Sequence, residues 1–265
     1  MSAADEHERS LTARGTPVAF AADIWDHHAS WWRETFAEGA DLEYAQEVMP
    51  LIAASLTGAQ RILDVGCGEG QVARLLHRSP HHPQVTGIDP SGNQLENARR
   101  NSPAEINFVQ GAGEHLPFPD GAFDAVVCCL AIEHCADVDA VLAEVARVLD
   151  VGGRFLLLIN HPLYQGAGSG FIDDQILGEH YWRVGPYLRE TVSFEEVDQG
   201  VSLPFAHRPL SRYLNPLASY DLLLVEMHEP PPLADFLAGS IDPELEGAIP
   251  RLLALHFEHR PRPRH

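Results

Sequence analysis

The sequence predicts an α/β fold: a doubly wound sheet of seven strands, mostly parallel with an antiparallel last strand, plus N-terminal helices and a cap insertion. Three observations carry this expectation. From Arg61 onward, short apolar runs alternate with segments of helical period, the pattern of a parallel sheet covered by helices. Two of those runs, Val126-Val127 and Phe155-Leu156-Leu157-Leu158-Ile159, carry no polar residue, as strands buried on both faces require. The first run ends in Gly66-Cys67-Gly68-Glu69-Gly70, where glycines let a strand turn tightly into a helix.

Taken in order, residues 1–20 read as a disordered tail, because the first stretch is charged and lacks any apolar period. An aromatic-rich stretch from Ile24 to Trp32 and a second from Tyr44 to Leu56 read as helices. The alternation then gives a strand at Arg61–Val65, a helix at Gln71–His77 stopped by Ser79-Pro80, and a strand at Gln84–Ile88. Next come a helix at Asn93–Arg100 with Ser91 as N-cap, and a strand at Ile106–Val109. A strand at Phe123–Cys129, a helix at Val138–Leu149 ended by Gly152-Gly153, and a strand at Arg154–Ile159 complete the alternation. Residues 161–207 are rich in Gly, Pro and aromatics and show no period, which marks an insertion. A helix at Leu210–Tyr220 and strands at Leu222–Val225 and Leu252–Phe257 follow, the last two joined by a long connection through Pro230-Pro231-Pro232.

Composition narrows the function. The 265 residues, 45% of them hydrophobic, suffice for one domain with a real core. The formal net charge is -20, the pI is near 5.0, and every basic residue is Arg. Those arginines are scattered, apart from Arg260, Arg262 and Arg264 near the C-terminus. Such a balance argues against nucleic acid or an anionic membrane surface as partner. No apolar run approaches the length of a membrane span. The four cysteines, Cys67, Cys128, Cys129 and Cys135, form no Cys-x-x-Cys pair. They read as reduced thiols of a cytoplasmic protein, and the polar start, Met1 to Arg14, does not resemble a signal peptide.

The chemistry concentrates at two strand ends. Asp64 precedes the glycine turn, and an acid there suits a ligand that carries an ammonium group. A dinucleotide fingerprint would place its third glycine where Gln71 stands, and a phosphate loop would need a Gly-Lys pair. A nicotinamide-dependent oxidoreductase is therefore the weaker alternative, beside a binding module without catalysis. Asp89, in Gly87-Ile88-Asp89-Pro90-Ser91, ends the second strand, where a carboxylate can accept both hydroxyls of a ribose.

With these motifs the chain resembles the class I S-adenosylmethionine-dependent methyltransferases, in particular the ubiquinone/menaquinone-methyltransferase-like group with its Rossmann-like fold. The resemblance runs from about Arg61 to Asn160. It includes Gly113-Glu114-His115-Leu116-Pro117-Phe118-Pro119-Asp120, Phe123-Asp124-Ala125-Val126, and Arg147-Val148-Leu149 before Gly152-Gly153. It implies S-adenosyl-L-methionine as cofactor, S-adenosyl-L-homocysteine as product and a small-molecule acceptor methylated on O, N or C. It places Asp64, Gly66, Cys67, Gly68 and Gly70 at the methionine part, Asp89 and Pro90 at the ribose, and Ala112 and Gly113 beside the adenine. Two positions depart from the pattern: Ala112 replaces an acid that binds the adenine amine, and Gln94 replaces an apolar residue that packs the base. Gln94 has the chemistry to hydrogen-bond the base instead. Leu130 opens a segment, Leu130 to Cys135, that borders cofactor and acceptor. Leu130 also stands where some relatives have a metal-binding carboxylate, so no metal is expected there. The resemblance makes residues 21–265 one methyltransferase domain, with a cofactor-binding core at 48–160, a substrate cap at 161–207 and C-terminal elements at 208–265.

If a side-chain base operates, His134 and His161 are the candidates, because each directly follows a strand at the edge where the glycine turn puts the cofactor; His207 is weaker. Tyr164, Tyr181 and His207 are the expected acceptor contacts, with Trp182 and Tyr187 nearby. Glu133 reads equally as a functional acid or as a helix-start charge. Trp25, Trp31 and Trp32 read as a core-packing helix face or as a lid over the cofactor.

Overall fold

The structure, a computed structural model, describes residues 9–10, 24–28, 31, 41–198 and 200–260. Its central sheet has seven strands: β2 (Arg61–Val65), β3 (Gln84–Asp89), β4 (Asn107–Gln110), β5 (Phe123–Cys129), β6 (Leu149–Asn160), β11 (Leu222–His228) and β12 (Leu252–His259). Their order is β11-β12-β6-β5-β2-β3-β4. β2 to β6 pair in parallel, whereas β12 runs antiparallel to both β6 and β11. The antiparallel last strand is thus where the sequence put it.

Helices cover both faces. On one side, α1 (Met49–Ser55), α2 (Gln71–His77) and α3 (Gly92–Asn101) pack Ile52, Val72, Leu76 and Leu95 against Ile62, Val127, Leu156 and Leu158. On the other, α4 (Val138–Val148) and α5 (Ser211–Ser219) pack Val141, Leu142, Val145 and Leu217 against Leu63, Val126, Leu157 and Leu255. Alternate residues of β5 and β6 enter opposite cores, which is why those strands are apolar throughout. Each fully buried aliphatic side chain contributes roughly 1.5–3 kcal/mol, so truncating Leu142, which is 0% exposed, costs about 2–5 kcal/mol.

Helix boundaries follow local chemistry. Ser91 caps α3 by accepting from the Gln94 N–H at 3.1 Å, and Asp137 caps α4 by accepting from the Ala140 N–H at 3.0 Å. Arg154 satisfies the end of α1, donating to the Ser55 and Thr57 carbonyls at 2.9 and 3.0 Å. The helix expected from Tyr44 opens as a π-helical turn, Tyr44–Val48, before α1. β6 begins earlier than expected, at Leu149. Leu149 pairs with Phe123 and Arg154 with Ala125, so the residues between bulge outward around Gly152, whose φ is +79°.

The aperiodic insertion contains two antiparallel hairpins. β7 (Gly170–Asp174) pairs β8 (Glu179–Arg183), and β9 (Thr191–Asp198) pairs β10 (Val201–His207). Gly178 and Gly200, at φ +66° and +77°, supply the left-handed turn conformations. Within the expected tail, Arg9–Ser10 form a short strand, β1, against Thr191 and Val192 of β9. The rest of 1–20 lies outside the described residues, as does Trp32. Short helices α6 (Ala234–Leu237) and α7 (Pro243–Gly247) lie between β11 and β12.

Candidate active site

The chain leaves β2 in one direction, towards β3 and β4, and returns on the other side with β5. Open α/β sheets bind ligands at such a reversal, outside the carboxyl ends of the strands. A cavity of about 190 Å³ lies there. Gly66, Cys67 and Gly68 line it after β2, Asp89 and Pro90 after β3, Ala112 and Gly113 after β4, and Leu130 after β5; Gln94 reaches it from α3. Nine of the eleven expected cofactor residues therefore meet in one cavity.

The other two, Asp64 and Gly70, lie beneath it. Gly70 stands at φ +86°, and a Cβ there would meet the Phe108 ring at 2.9 Å. Its hydrogen is therefore required by packing between turn and sheet. Asp64 is 1% exposed, and neither carboxylate oxygen has a well-formed hydrogen bond among the described residues. Burial, reinforced by the charge of Asp89, pushes its pKa up to about 7, while the Ala73 N–H favours its anion. Gly66 has a different constraint: its φ is +73°, and a Cβ there would clash with the Ala131 Cβ.

Asp89 organises the turn. Its Oδ2 accepts from the Gly68 N–H and its Oδ1 from the Ser91 N–H, both at 2.9 Å. Burial raises its pKa to about 6, and those two N–H groups work against that rise. Glu69 also lines the cavity and is tied to Arg74 by a buried ion pair of 2.7 Å. Gln94 is 2% exposed, and its Oε1 has no hydrogen-bond partner among the described residues. A buried amide oxygen without a donor costs free energy until a ligand supplies one. Leu130 adopts φ +50°, unusual for a branched side chain and the kind of strain that gathers at functional sites.

His134 is brought to this cavity. It sits in the 3₁₀ turn Ile132–His134, with Trp25 and Phe205 edge-on to its ring at 4.8 and 5.6 Å. Its Nδ1 lies 2.7 Å from the Pro204 carbonyl. A carbonyl only accepts, so Nδ1 carries the proton and Nε2 is the basic nitrogen. Burial pulls the pKa down to about 4, and Arg208 adds to the effect. Arg208, 2% exposed, donates to the Ile132 and Cys135 carbonyls at 3.1 and 2.6 Å and so fixes the turn that carries His134.

The remaining expected site residues are placed elsewhere. His161 has both ring nitrogens engaged: Nδ1 accepts from the Leu163 N–H at 3.1 Å, and Nε2 lies 2.9 Å from Glu229 Oε1. It does not line the cavity, so no free nitrogen faces an acceptor there. Tyr164 stacks on Trp182, with ring centroids 5.0 Å apart, and meets the Arg251 guanidinium. Tyr181 lies on the exposed β7–β8 hairpin, and His207 Nε2 is held by the Tyr187 carbonyl at 2.8 Å. None of these three lines the cavity. Glu133 ties its 3₁₀ turn to the end of β6: its Oε1 accepts from the Asn160 N–H at 2.7 Å, and burial raises its pKa to about 7.

Several cavity residues were not anticipated. Tyr44, Glu69, Gln71 and Glu114 all line it, beside Ala131 and Cys135 of the Leu130–Cys135 segment. So do Cys67, Cys128 and Cys129, so every cysteine of the chain borders this space. Burial pushes their thiols up, which keeps them protonated. The only sequence signal for Tyr44 was its place at the start of a helix preceding the first strand. Trp25 favours the lid reading over the core-packing one. It is half-buried, lines the cavity, and belongs to a helical segment, 24–28, whose Asp26 accepts from the Asn93 N–H at 3.1 Å and from the Ser91 hydroxyl.

Comparison with known proteins agrees with this geometry. Residues 63–157 match the family described as a methyltransferase domain. A demethylmenaquinone methyltransferase of Thermus thermophilus is 34% identical over 58% of this chain and 69% of its own length. A ubiquinone/menaquinone biosynthesis C-methyltransferase of Desulfotalea psychrophila is 36% identical over 52% of this chain and 55% of its own. A solved S-adenosylmethionine-dependent methyltransferase of Mesorhizobium loti superposes with a TM-score of 0.65 at 27% identity, covering 79% of this chain and 96% of that one. The chain belongs to the class I S-adenosylmethionine-dependent methyltransferase family, in its ubiquinone/menaquinone-methyltransferase-like group. It spans about half the length of most of the curated relatives it matches.

The residues present fit the family's cofactor. The side-chain-free turn at Gly66 and Gly68 admits a ligand close to the backbone. Asp89 offers a charged acceptor at the cavity wall, with Asp64 behind it. The Gln94 oxygen, without a hydrogen-bond partner among the described residues, adds an acceptor beside the cavity.

Proposed function

We propose that this protein transfers the methyl group of S-adenosyl-L-methionine to a small-molecule acceptor in the cavity at the carboxyl ends of β2 to β5. The observation that carries this reading is the convergence there of the glycine turn, Asp89 and the unpaired Gln94 oxygen. When bound, the cofactor supplies a methyl group activated by a positive sulfur. The chain's own residues do the rest. Asp89 holds the ribose hydroxyls, and its negative charge, with that of Asp64 beneath, favours a cationic ligand. Gln94 accepts from the adenine amine in place of the acid that Ala112 replaces. Trp25, Tyr44, Leu130 and Ala131 exclude water and align the acceptor, and alignment alone supplies much of the acceleration.

His134 is the candidate base, a reading supported by its place in the cavity lining, which His161 and His207 do not share. Its Nε2 stays unprotonated throughout the neutral range and is available to receive a proton from a hydroxyl or from an activated ring carbon. The aromatic wall of Trp25 and Tyr44 suits a flat ring, and the names of the relatives point the same way, so a hydroquinone is the first acceptor to test. A fatty-acid O-methyltransferase of Mycolicibacterium smegmatis, 41% identical over 40% of this chain and 39% of its own length, makes a fatty acid the second.

The test has two parts. Calorimetric titration with S-adenosylhomocysteine and with NADH should show tight binding of the first only; the reverse would favour the oxidoreductase reading. Methyl-labelled cofactor offered with hydroquinones, fatty acids and metabolite extracts should then yield a labelled small molecule. Tight cofactor binding with no labelled product from any source would favour a binding module.

A further inference from the structure

At the edge of the sheet farthest from β4, three potential metal ligands meet that the methyltransferase reading does not use. Glu226 and His228 lie on β11 and His256 on β12, and one donor atom from each falls within 4.8 Å of the other two. A β-bulge brings them together. Leu224 pairs with Phe257, but Glu226 pairs with His256, so the extra residue, Val225, reverses which face the rest of β11 presents. Without it, Glu226 and His228 would share the face of Leu222 and Phe257, in the other core. With it, they stand beside His256.

The local contacts suit a cation. His228 Nε2 lies 3.1 Å from Glu226 Oε1, and the two imidazoles meet edge-on with centroids 5.2 Å apart. Ser55 Oγ lies 3.5 Å from His256 Nε2, placed to orient that ring from outside the donor set. We propose that Glu226, His228 and His256 form a binding site for a divalent transition-metal ion of the Zn²⁺ type, remote from the cofactor cavity. Two imidazoles and one carboxylate select a borderline cation over Mg²⁺ or Ca²⁺, which prefer all-oxygen sites. Donors about 2.1 Å from zinc stand roughly 3.4 Å apart in a tetrahedron, so small side-chain rotations close the triad. Glu226 and His228 are exposed and His256 is half-buried, which leaves the fourth position to water. The ion ties the edge strand β11 to β12 and so strengthens the outer margin of the sheet.

The experiment uses the full chain without an affinity tag, freed of metal by a chelator. Zn²⁺ affinity is measured by competition with a chromophoric chelator, and Co²⁺ by its visible absorption. One equivalent should bind, Mg²⁺ in excess should not displace it, and Zn²⁺ should raise the melting temperature. H228A and H256A should each weaken binding by about tenfold or more, since even outer-shell changes cost 10- to 100-fold, and should abolish the thermal shift. Both variants should keep S-adenosylhomocysteine affinity, which shows that they are folded and separates this site from the cavity. Unchanged Zn²⁺ affinity in both variants would overturn the proposal, because the metal would then sit elsewhere, for example on the thiols. Absence of Zn²⁺ binding by the wild-type chain at micromolar concentrations would overturn it equally.

Discussion

Replacing Asp89 by Ala tests the heart of the cofactor site. The wild-type carboxylate accepts from Gly68 and Ser91 and leaves an edge on the cavity. A hydrogen bond to a charged group contributes about 1.5–3 kcal/mol, and 1.4 kcal/mol is tenfold in affinity. D89A should therefore weaken S-adenosylhomocysteine binding about 10- to 150-fold. The pH dependence sharpens the test. With a pKa near 6 in the free protein, Asp89 is ionised above pH 7 and largely protonated at pH 5. The gap between wild type and D89A should be widest at pH 8 and should narrow below pH 6. Calorimetry at both pH values reads this directly, with thermal melts to confirm that the variant is folded. Equal affinities of wild type and D89A at pH 8 would refute the reasoning.

Three further outcomes follow from the same geometry. Because burial pulls His134 down to about 4, methyl transfer at saturating cofactor should show no acidic limb above pH 5, and His134→Ala should lower kcat by about 10²–10⁴-fold with cofactor affinity intact; a loss below tenfold would remove His134 as the base. Gly70→Ala should destabilise the fold by roughly 1–3 kcal/mol in denaturant melts, since the new methyl meets both a left-handed φ and the Phe108 ring; a neutral result would contradict the packing argument. Asp64 and Glu133, each raised to about 7, contribute stability that is complete below pH 4 and lost as pH rises through 7; the ligand-free protein should melt several degrees lower at pH 8 than at pH 6, and a flat or rising melting temperature would count against their burial as acids.

The sheet was legible because its strands are short, apolar and punctuated. β2, α2 and β5 fall at the expected residues, and Asp89, Gly66 and Gly68 line one cavity while Asp64 and Gly70 lie outside its lining. The insertion was not legible, since β7 to β10 lack a clean alternation of apolar and polar residues and depend on glycine turns for their shape. For that reason Tyr164, Tyr181 and His207 were assigned to the acceptor on chain position alone, and their partners proved to be Trp182 and Arg251, the opposing hairpin strand, and the Tyr187 carbonyl. His134 and His161 look alike in sequence, each just past a strand. Only the fold shows that Leu163 and Glu229 occupy both nitrogens of one, while the other lines the cavity with its Nδ1 held by the Pro204 carbonyl. Long-range contacts such as Tyr44 against Cys129, with hydroxyl and sulfur 3.7 Å apart across 85 residues of chain, leave no local signal.

The central claim is methyl transfer, and a single-turnover experiment tests it most directly. The protein, in slight excess over methyl-labelled S-adenosylmethionine, is mixed with a hydroquinone or with the acceptor drawn from extract, and both products are followed. Label should appear in the acceptor at the rate at which S-adenosylhomocysteine forms, one for one, and H134A should slow both together. Cofactor that binds tightly yet returns unchanged, with all label still on its sulfur after every acceptor class has been offered, would contradict it.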